Sequence, residues 1–441
     1  MIFYSFRLVV IHLILLSCFF SFGCNKAQPA DNAGKTVYIK NENGKYTLYR
    51  QGQPFLVKGA AGHTNLKRLK EAGGNTIRVW DTVHLANILD SAQANNLAVI
   101  VGLPMPPSLR MDEFYNTPQA AAFTKKITSV INKYKNHPAL LCWCLGNELT
   151  FPFRPRFNQF YTVFNNLVDS IHYNDPQHPV TTTVMTFQKE NIFNIRYRTK
   201  IDFISFNIFG SIQTLKQDLQ DFKWLWNGPF LITEWSVEGP WVAASQNVWG
   251  AYVENTSTKK AEQYLATYSN YMPVDNPRFL GSMVFYWGQK QELTPTWFSL
   301  FDEHGGQTEI VNAMQYLWTG KKPPVKAPDI KYMLVENKGG RDNILLSPKT
   351  TSFAIAYMNE PGTAKLTYKW QLFAEDWFKP NGIFNDKPLK DIKNAVTENN
   401  GPIIKFKVPE TEGPYRLYVY VYNDNGYFAT ANVPFYVLYN P

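Results

Sequence analysis

Hydrophobic residues in this chain occur in short runs, separated by longer stretches in which they recur every three or four residues. A run of four to eight apolar residues is typical of a strand buried on both faces, and the wider spacing is typical of a helix with one buried face. The runs are FLVKGA (55–60), NTIRVW (75–80), LAVIVGLP (97–104), LLCWCL (140–145), PVTTTV (179–184), IDFISFNIFG (201–210), PFLITEW (229–235) and RFLGSMVFYW (278–287).

Alternating strand and helix patterns fit either an open doubly wound sheet or a closed barrel. The open sheet is expected to carry a glycine-rich phosphate loop after its first strand, and none follows residue 60. Eight strand–helix units fit the closed form better. We therefore predict an α/β fold with a (β/α)8 barrel over residues 46–319, which the helical pattern TEIVNAMQYLW (308–318) closes.

Beyond the barrel the period changes to two. A Pro- and Lys-rich segment (320–330) forms a linker. Alternating segments such as KLTYKWQLF (365–373) and a hairpin pattern around NDNG (423–426) follow it. This predicts an all-β immunoglobulin-like sandwich over 331–441, with Trp370 in its core.

The first 24 residues read as a secretory signal, with Arg7 before an apolar stretch that ends at a cysteine. The sequences before Cys24 and Cys18 both resemble the lipobox of bacterial lipoproteins, and Cys24 is favoured because polar sequence begins directly after it. We expect an exported protein in the bacterial periplasm or at the outer-membrane surface, with a lipid anchor and a tether over 25–45. An ordinary cleaved signal is the alternative.

Composition limits the other functions. The chain is 45% hydrophobic and 15% aromatic, so a large core is expected. Its net charge of +9 is scattered and forms no basic helix or zinc finger, so a nucleic-acid partner is not expected. Cys142 and Cys144 stand without a His pair or a second Cys pair, and we interpret them as small buried side chains rather than metal ligands. No cofactor or metal is expected.

Two carboxylates follow apolar runs at positions where barrels carry out chemistry. In such barrels catalytic groups lie at the carboxyl ends of the strands. Glu148 follows the fourth run and Glu234 ends the seventh. Glycoside hydrolysis needs two carboxyl groups beside one bond, one to protonate the leaving oxygen and one to attack or stabilise the sugar carbon. These two glutamates are the candidates for the pair.

Several segments resemble the clan A glycoside hydrolases, particularly the catalytic domain of glycoside hydrolase family 2. NHPALLCWCLGNE resembles the fourth-strand signature, FLITEW the nucleophile segment, GNTIRVW the arginine segment and MVFYWG the eighth-strand tryptophan. The resemblance implies Glu148 as acid/base and Glu234 as nucleophile in a retaining mechanism. It also implies that Asn147 binds the sugar 2-hydroxyl, that Arg78 keeps the nucleophile ionised by lowering its pKa, and that Trp287 forms the floor of the reactive subsite. Asn207, His63, Trp80 and Trp235 are further candidate substrate contacts.

The sequence also departs from family 2. Phe209 stands where a tyrosine is common, so the hydroxyl that usually touches the nucleophile either comes from Tyr286 instead or is missing. His63 lacks the acid that often follows it in exo-acting relatives. The two sandwiches that precede a family 2 barrel are also missing, which favours an open cleft. Tryptophans in the last loops are candidate platforms for several sugars: Trp235, Trp241, Trp249 and Trp297.

The overall architecture is similar to glycoside hydrolase family 158 endo-β-1,3-glucanases. The expected function is therefore a retaining, endo-acting β-glycosidase on a polysaccharide, β-glucan being favoured. An exo-acting β-galactosidase, β-glucosidase or β-mannosidase is the alternative. A glycan-binding surface lipoprotein with an inactive barrel is a third interpretation, which the presence of both carboxylates disfavours.

Overall fold

Eight buried parallel strands close into a barrel in a computed structural model, which describes residues 34–243, 245–359, 365–379, 387, 389–396 and 401–439. Each strand pairs with its neighbour in chain order, and the last returns to the first. The barrel strands are β4 (Val57–Ala61), β5 (Thr76–Val79), β6 (Ala98–Leu103), β7 (Leu140–Leu145), β8 (Val180–Met185), β9 (Phe203–Asn207), β10 (Phe230–Trp235) and β11 (Phe279–Val284). The predicted closed barrel is confirmed.

Helices cover the outside of the barrel between successive strands. They are α1 (Leu66–Glu71), α2 (Leu85–Ala94), α3 (Met111–Tyr115), α4 (Thr117–Tyr134), α5 (Asn158–Asn174), α6 (Lys189–Arg198), α7 (Ile212–Asp221), α8 (Pro240–Ala243), α9 (Ser257–Tyr271) and α10 (Glu309–Thr319). Helix α4 begins where Asn116 accepts a hydrogen bond from the backbone N–H of Gln119, with Pro118 in the first turn. Within the described part of the chain, no helix has the length and apolar character needed to cross a bilayer.

A short antiparallel sheet covers the amino-terminal end of the barrel. Its strands are β1 (Val37–Glu42), β2 (Lys45–Arg50) and β3 (Gln53–Pro54). Val37 and Leu48 of this sheet share a buried cluster with side chains inside the barrel, including those of Cys142 and Cys144. Residues 36–45, which the sequence analysis placed in a tether, are therefore largely part of the fold. The signal segment, with Cys18 and Cys24, lies outside the described residues.

The carboxyl-terminal part forms two facing sheets. One contains β12 (Ile330–Val335), β14 (Thr351–Met358) and β16 (Ile403–Lys407); the other contains β13 (Leu345–Leu346), β18 (Phe428–Val437), β17 (Gly413–Asn423) and β15 (Leu366–Ala374). Trp370 is 3% exposed in the core between them, and its indole N–H donates to the carbonyl of Gly401. The predicted β sandwich is confirmed.

Candidate active site

Four barrel strands bring polar side chains together at their carboxyl ends. Arg78 lies on β5, Asn147 and Glu148 follow β7, Asn207 ends β9, and Glu234 lies near the end of β10. We call these five residues the carboxylate cluster. Apart from Asn147 and Glu148, which are exposed, its members are buried. The cluster occupies the barrel face on which enzymes of this fold carry out chemistry.

Arg78 is the hub of the cluster. Its guanidinium is 1% exposed. Nη1 donates to Glu234 Oε1 at 2.5 Å and to Asn207 Oδ1 at 3.0 Å, while Nη2 donates to Asn147 Oδ1 at 2.6 Å and Thr183 Oγ1 at 3.3 Å. A planar group with fixed donors holds several acceptors at defined angles, which a lysine ammonium does not do. Arg78 therefore holds groups from four neighbouring strands, β7 to β10, in fixed relative positions.

Glu234 is the buried carboxylate of the cluster, at 5% exposure. Oε1 accepts from Arg78 and also from the indole N–H of Trp80 at 2.8 Å. Burial raises the pKa of Glu234 to about 7; Arg78 and Trp80 oppose that shift, and the nearby Glu148 adds to it. Arg78 lowers this pKa, as expected, but the loss of water around the carboxylate outweighs the ion pair, so the net shift is upward.

Glu148 is the exposed carboxylate, and its backbone is unusual. Its φ is 53°, in the left-handed region that non-glycine residues enter at a cost of about 1 kcal/mol. Gly146, two residues earlier, has φ 77°, and a Cβ there would lie 2.4 Å from Leu149 Cδ1. The chain thus turns sharply after β7. The turn places Glu148 Oε1 within 2.9 Å of Asn207 Nδ2, which donates to it.

Asn207 connects the two glutamates. Its amide nitrogen donates to Glu148, and its amide oxygen accepts from the same Arg78 nitrogen that pairs with Glu234. Its Cα is also opposite that of Glu234 in the β9–β10 pairing. The two carboxylates were expected to meet at one barrel mouth. The Asn207 side chain bridges them there. They differ in environment, since one is buried and ion-paired whereas the other faces solvent.

An aromatic wall stands beside Glu234. The rings of Trp80 and Tyr286 are stacked at 5.9 Å with an interplanar angle of 19°, and Phe285 meets Trp80 edge-on. Among the hydrogen bonds of the described residues, none joins the Tyr286 hydroxyl to Glu234. Trp80 supplies the second donor instead, so the structure does not support the hydroxyl role suggested for Tyr286. The side chain of Phe209 contacts Phe285 edge-to-face at 5.7 Å.

Two predicted sugar contacts are turned away from the mouth. Trp287 is fully buried, and its ring packs against Phe301 and Trp318. Trp235 is also fully buried, with Tyr264 and Tyr268 of α9 around it. A ring with no exposed face does not stack on a sugar. These two predictions are therefore wrong.

The remaining candidates differ in position. His63 is exposed and makes no hydrogen bond or ion pair with any described residue. Asn147 accepts from Arg78 and Asn207, while its Nδ2 donates to no described residue and is available to a substrate hydroxyl. Of the other loop tryptophans, Trp241 is 42% exposed, whereas Trp249 packs on Tyr436 and Trp297 is buried.

Sequence reasoning missed one charged pair near the mouth. Lys290 Nζ lies 5.9 Å from the centre of the Tyr286 ring and 3.3 Å from the carboxylate of Glu292. Burial raises the pKa of Glu292, Lys290 opposes this shift, and the charge of Glu148 adds to it. Glu292 is thus a third carboxylate that interacts electrostatically with Glu148 and Glu234. The charges in QKQEL (289–293) were a usable signal. They were not predicted because they lie in a loop, beyond the strand ends and the first residues after them, where the candidate groups were expected.

No metal site accompanies the carboxylates in the described residues, where no group of three or more His, Cys, Asp or Glu side chains is arranged to hold an ion. The chemistry available to the cluster is that of a buried, ion-paired carboxylate next to a solvent-exposed one. Such a pair can divide nucleophilic attack and proton transfer between its members.

Part of the barrel sequence matches a family model. The family model described as "Glycosyl hydrolases family 2, TIM barrel domain" matches residues 72–272. Over these residues the barrel is similar in sequence to the family 2 glycoside hydrolase barrel domain. The predicted resemblance is therefore confirmed, and the match places this domain in an enzyme class, as expected. No curated protein matches the sequence.

Solved structures with a similar fold include several glycoside hydrolases. A Bifidobacterium dentium β-glucuronidase complexed with coumarin-3-O-glucuronide has 16% identity and a TM-score of 0.52, over 65% of this chain and 49% of that one. A calcium-binding mutant of Bacteroides uniformis β-glucuronidase 2 has 15% identity and a TM-score of 0.50, over 92% and 48%.

The endo-β-1,4-mannanase of Thermotoga petrophila has 12% identity and a TM-score of 0.45, over 88% of this chain and 99% of that one, and a score of this size supports no conclusion. The two β-glucuronidases show a shared fold and, at these identities, nothing finer. This chain spans about half the length of each of those two proteins.

Proposed function

We propose that the protein is a retaining β-glycosidase in which Glu234 is the nucleophile and Glu148 the general acid/base. One observation carries this assignment: the Asn207 amide bridges the exposed Glu148 and the Arg78–Glu234 ion pair at the mouth of a family 2 barrel. The burial of one carboxylate and the exposure of the other fit the two roles. The acid/base must exchange protons with a leaving group and with water, whereas the nucleophile must stay oriented.

The reaction proceeds in two displacements. Glu234 attacks the anomeric carbon while Glu148 gives its proton to the departing glycosidic oxygen, so that the carbon–oxygen bond breaks as the ester bond forms. Glu148, now a carboxylate, then takes a proton from water, and the resulting hydroxide attacks the same carbon and releases Glu234. Two inversions leave the β configuration unchanged.

The other cluster members position these groups. Arg78 and Trp80 donate to one oxygen of Glu234, which leaves Oε2 to attack. Asn147 has its oxygen held by Arg78 and its Nδ2 available, which suits a hydrogen bond to the sugar hydroxyl next to the reacting carbon. Asn207 holds Glu148 on the leaving-group side. Each contact orients a group before the substrate arrives, so little reorganisation is needed during reaction.

The proposed substrate is a neutral polysaccharide, β-glucan being favoured, cleaved at internal bonds. Exposed Glu148 and the 42% exposed ring of Trp241 support an open cleft in which a chain can extend. Exo-action on a β-galactoside, β-glucoside or β-mannoside is the second candidate, supported by the family 2 match alone.

Glu234→Ala and Glu148→Ala, assayed with azide on an aryl β-glycoside, test the two roles. Azide should enter the vacated face in Glu234→Ala and give an α-glycosyl azide. In Glu148→Ala it should attack the glycosyl-enzyme and give a β-glycosyl azide. The reverse assignment of products would overturn the roles. A panel of β-glucans, mannans and galactans, with oligosaccharide products followed over time, separates endo- from exo-action.

Export as a lipoprotein anchored at Cys24, or at Cys18, completes the proposal. It is supported by the apolar, acid-free amino terminus and by the polar sequence that follows Cys24. Mass spectrometry of the amino-terminal peptide from membranes, with Cys24→Ala and Cys18→Ala compared, tests it. A soluble protein without a lipid adduct would contradict the lipoprotein proposal and support an ordinary cleaved signal peptide.

A further inference from the structure

A cavity of about 400 Å³ lies where the barrel meets the β sandwich. One wall is the loop after β11, from Gln289 to His304, and the other is the outward face of the sheet that contains β15, β17 and β18. We call it the junction cavity. Its volume is within the range of sites for small organic ligands. None of the residues of the carboxylate cluster lines it.

The sandwich wall of this cavity is aromatic because of strand periodicity. Along β17, Leu417, Val419 and Val421 enter the sandwich core, so the alternate residues Tyr420 and Tyr422 face outward. An outward sheet face that meets only water is usually polar.

Phe428 on β18 extends this surface. The ring of Tyr422 is stacked on that of Phe428 at 5.6 Å with an interplanar angle of 28°, and Tyr420 also contacts Phe428. The half-buried Tyr422 ring therefore offers an edge or face to a ligand in the cavity.

Three neutral polar side chains line the cavity without a partner among the described residues. Thr430 is 3% exposed, and its Oγ1 has no hydrogen-bond partner. Gln291 is 8% exposed, Gln371 is half-buried, and neither side-chain amide makes a hydrogen bond to a described residue. Of these groups, the buried Thr430 hydroxyl is the costly one to leave unpaired, whereas the two amides are available for hydrogen bonds. The charged side chains of Lys290, Asp302, Glu303, His304 and Lys369 also line the cavity. Amides and a hydroxyl beside aromatic rings suit a neutral sugar, which has hydroxyl edges and apolar C–H faces.

The loop wall is anchored by buried hydrogen bonds and also borders the mouth of the barrel. Buried Glu254 accepts hydrogen bonds from Thr294 and Thr296 of the loop, from Lys260 of α9 and from Asn432 of the sandwich. Lys290 lines the junction cavity, and its Nζ lies over the ring of Tyr286 in the mouth. The loop after β11 therefore borders both the junction cavity and the mouth.

We propose that the junction cavity is a second carbohydrate site, which holds a neutral sugar unit of the glycan whose cleaved bond lies between Glu148 and Glu234. The site would retain a polysaccharide on the enzyme between cleavages and would discriminate long chains from short ones. The inference rests on the proposed function for the identity of the glycan, though not for the existence of the site.

The test compares Tyr422→Ala and Gln371→Ala with the parent chain and with the control Tyr332→Ala. Tyr332 is an exposed tyrosine on the other sheet of the sandwich, where it packs on Tyr357. Binding of a soluble β-1,3-glucan is measured by calorimetry in a Glu234→Gln background, which prevents turnover. Each junction variant should raise Kd by about tenfold, as expected when a ring or a hydrogen-bonding amide is lost from a sugar site, while the control should not.

Kinetics on long and short substrates separate the two hypotheses. In the active chain, KM for the polysaccharide should rise in Tyr422→Ala more than KM for an aryl β-glycoside does. Junction variants that bind and cleave the polysaccharide as the parent does would overturn the second site and leave the proposed function intact. If the parent binds the polysaccharide through Tyr422 but cleaves nothing, the second site stands and the proposed enzymatic function is wrong. If the parent neither binds nor cleaves any glycan, both the second site and the proposed function are wrong.

Discussion

Trp80 donates its indole N–H to Oε1 of Glu234 at 2.8 Å, the same carboxylate oxygen that accepts from Arg78 at 2.5 Å. The indole therefore stabilises the charged form of the carboxylate. Phe209, which stands where a tyrosine is common in family 2, has no hydroxyl that could do so. Because burial raises the pKa of Glu234 to about 7, this donor influences how much of the nucleophile is ionised near neutral pH.

Trp80→Phe should move the acidic limb of the pH–activity profile to higher pH. The reactive form of Glu234 is the carboxylate, so activity falls by about tenfold per pH unit below its pKa. Losing the N–H raises that pKa, while the phenyl ring keeps contact with Tyr286. The measurement is kcat/KM for an aryl β-glycoside from pH 4 to 9. Tyr286→Phe is the matched control, since its hydroxyl does not contact Glu234; a limb that moves only in Tyr286→Phe would contradict the assignment.

Glu292→Gln should move the same limb in the opposite direction. The charge of Glu292 raises the pKa of Glu234, and the substitution removes that charge while keeping the side-chain shape. The acidic limb should therefore lie at lower pH than in the parent. Glu262→Gln, which removes an exposed carboxylate paired with Lys259 on α9, serves as the control for a change in net charge. Equal profiles for the parent and Glu292→Gln would show that Glu292 does not act on the nucleophile.

Arg78→Lys should abolish most activity although it keeps the positive charge. A lysine ammonium does not reach Glu234, Asn207, Asn147 and Thr183 together, so the nucleophile and the amides lose their common support. We expect kcat to fall by about 10²- to 10³-fold, as when one fixed donor is removed from a transition-state site. Single-turnover kinetics check this value. A loss confined to KM would instead indicate a role in ground-state binding alone.

The strands were predictable because both of their faces are buried. In a closed barrel the inner face meets other strands and the outer face meets helices, so each strand is a continuous apolar run that does not depend on tertiary detail. The predicted and observed ranges of the fourth strand coincide at Leu140–Leu145. The two carboxylates were predictable for a related reason. An ionisable group directly after such a run lies at the carboxyl end of a barrel strand, and therefore at the barrel mouth.

The error at Trp235 follows from strand alternation. Adjacent residues on a strand point to opposite faces. Because Glu234 points into the mouth, Trp235 points outward, to the helix that carries Tyr264. Trp287 lies beyond the end of β11 at Val284, where strand alternation no longer gives the side-chain direction, and its ring packs against Phe301 and Trp318. Glu292 lies on a loop, where no period gives the side-chain direction.

Glu254→Gln should strongly destabilise the fold, because Glu254 links the barrel, the loop after β11 and the sandwich. Its ion pair with Lys260 is buried, and burial lowers the pKa of Lys260. Removing one partner leaves the other charge unpaired away from water, which costs about 3–5 kcal/mol of the free energy of unfolding. Glu262→Gln breaks an exposed pair on the same helix and should cost about 1 kcal/mol or less. Urea denaturation of both variants checks the difference, and equal midpoints would mean that the buried pair contributes no more to stability than a surface pair.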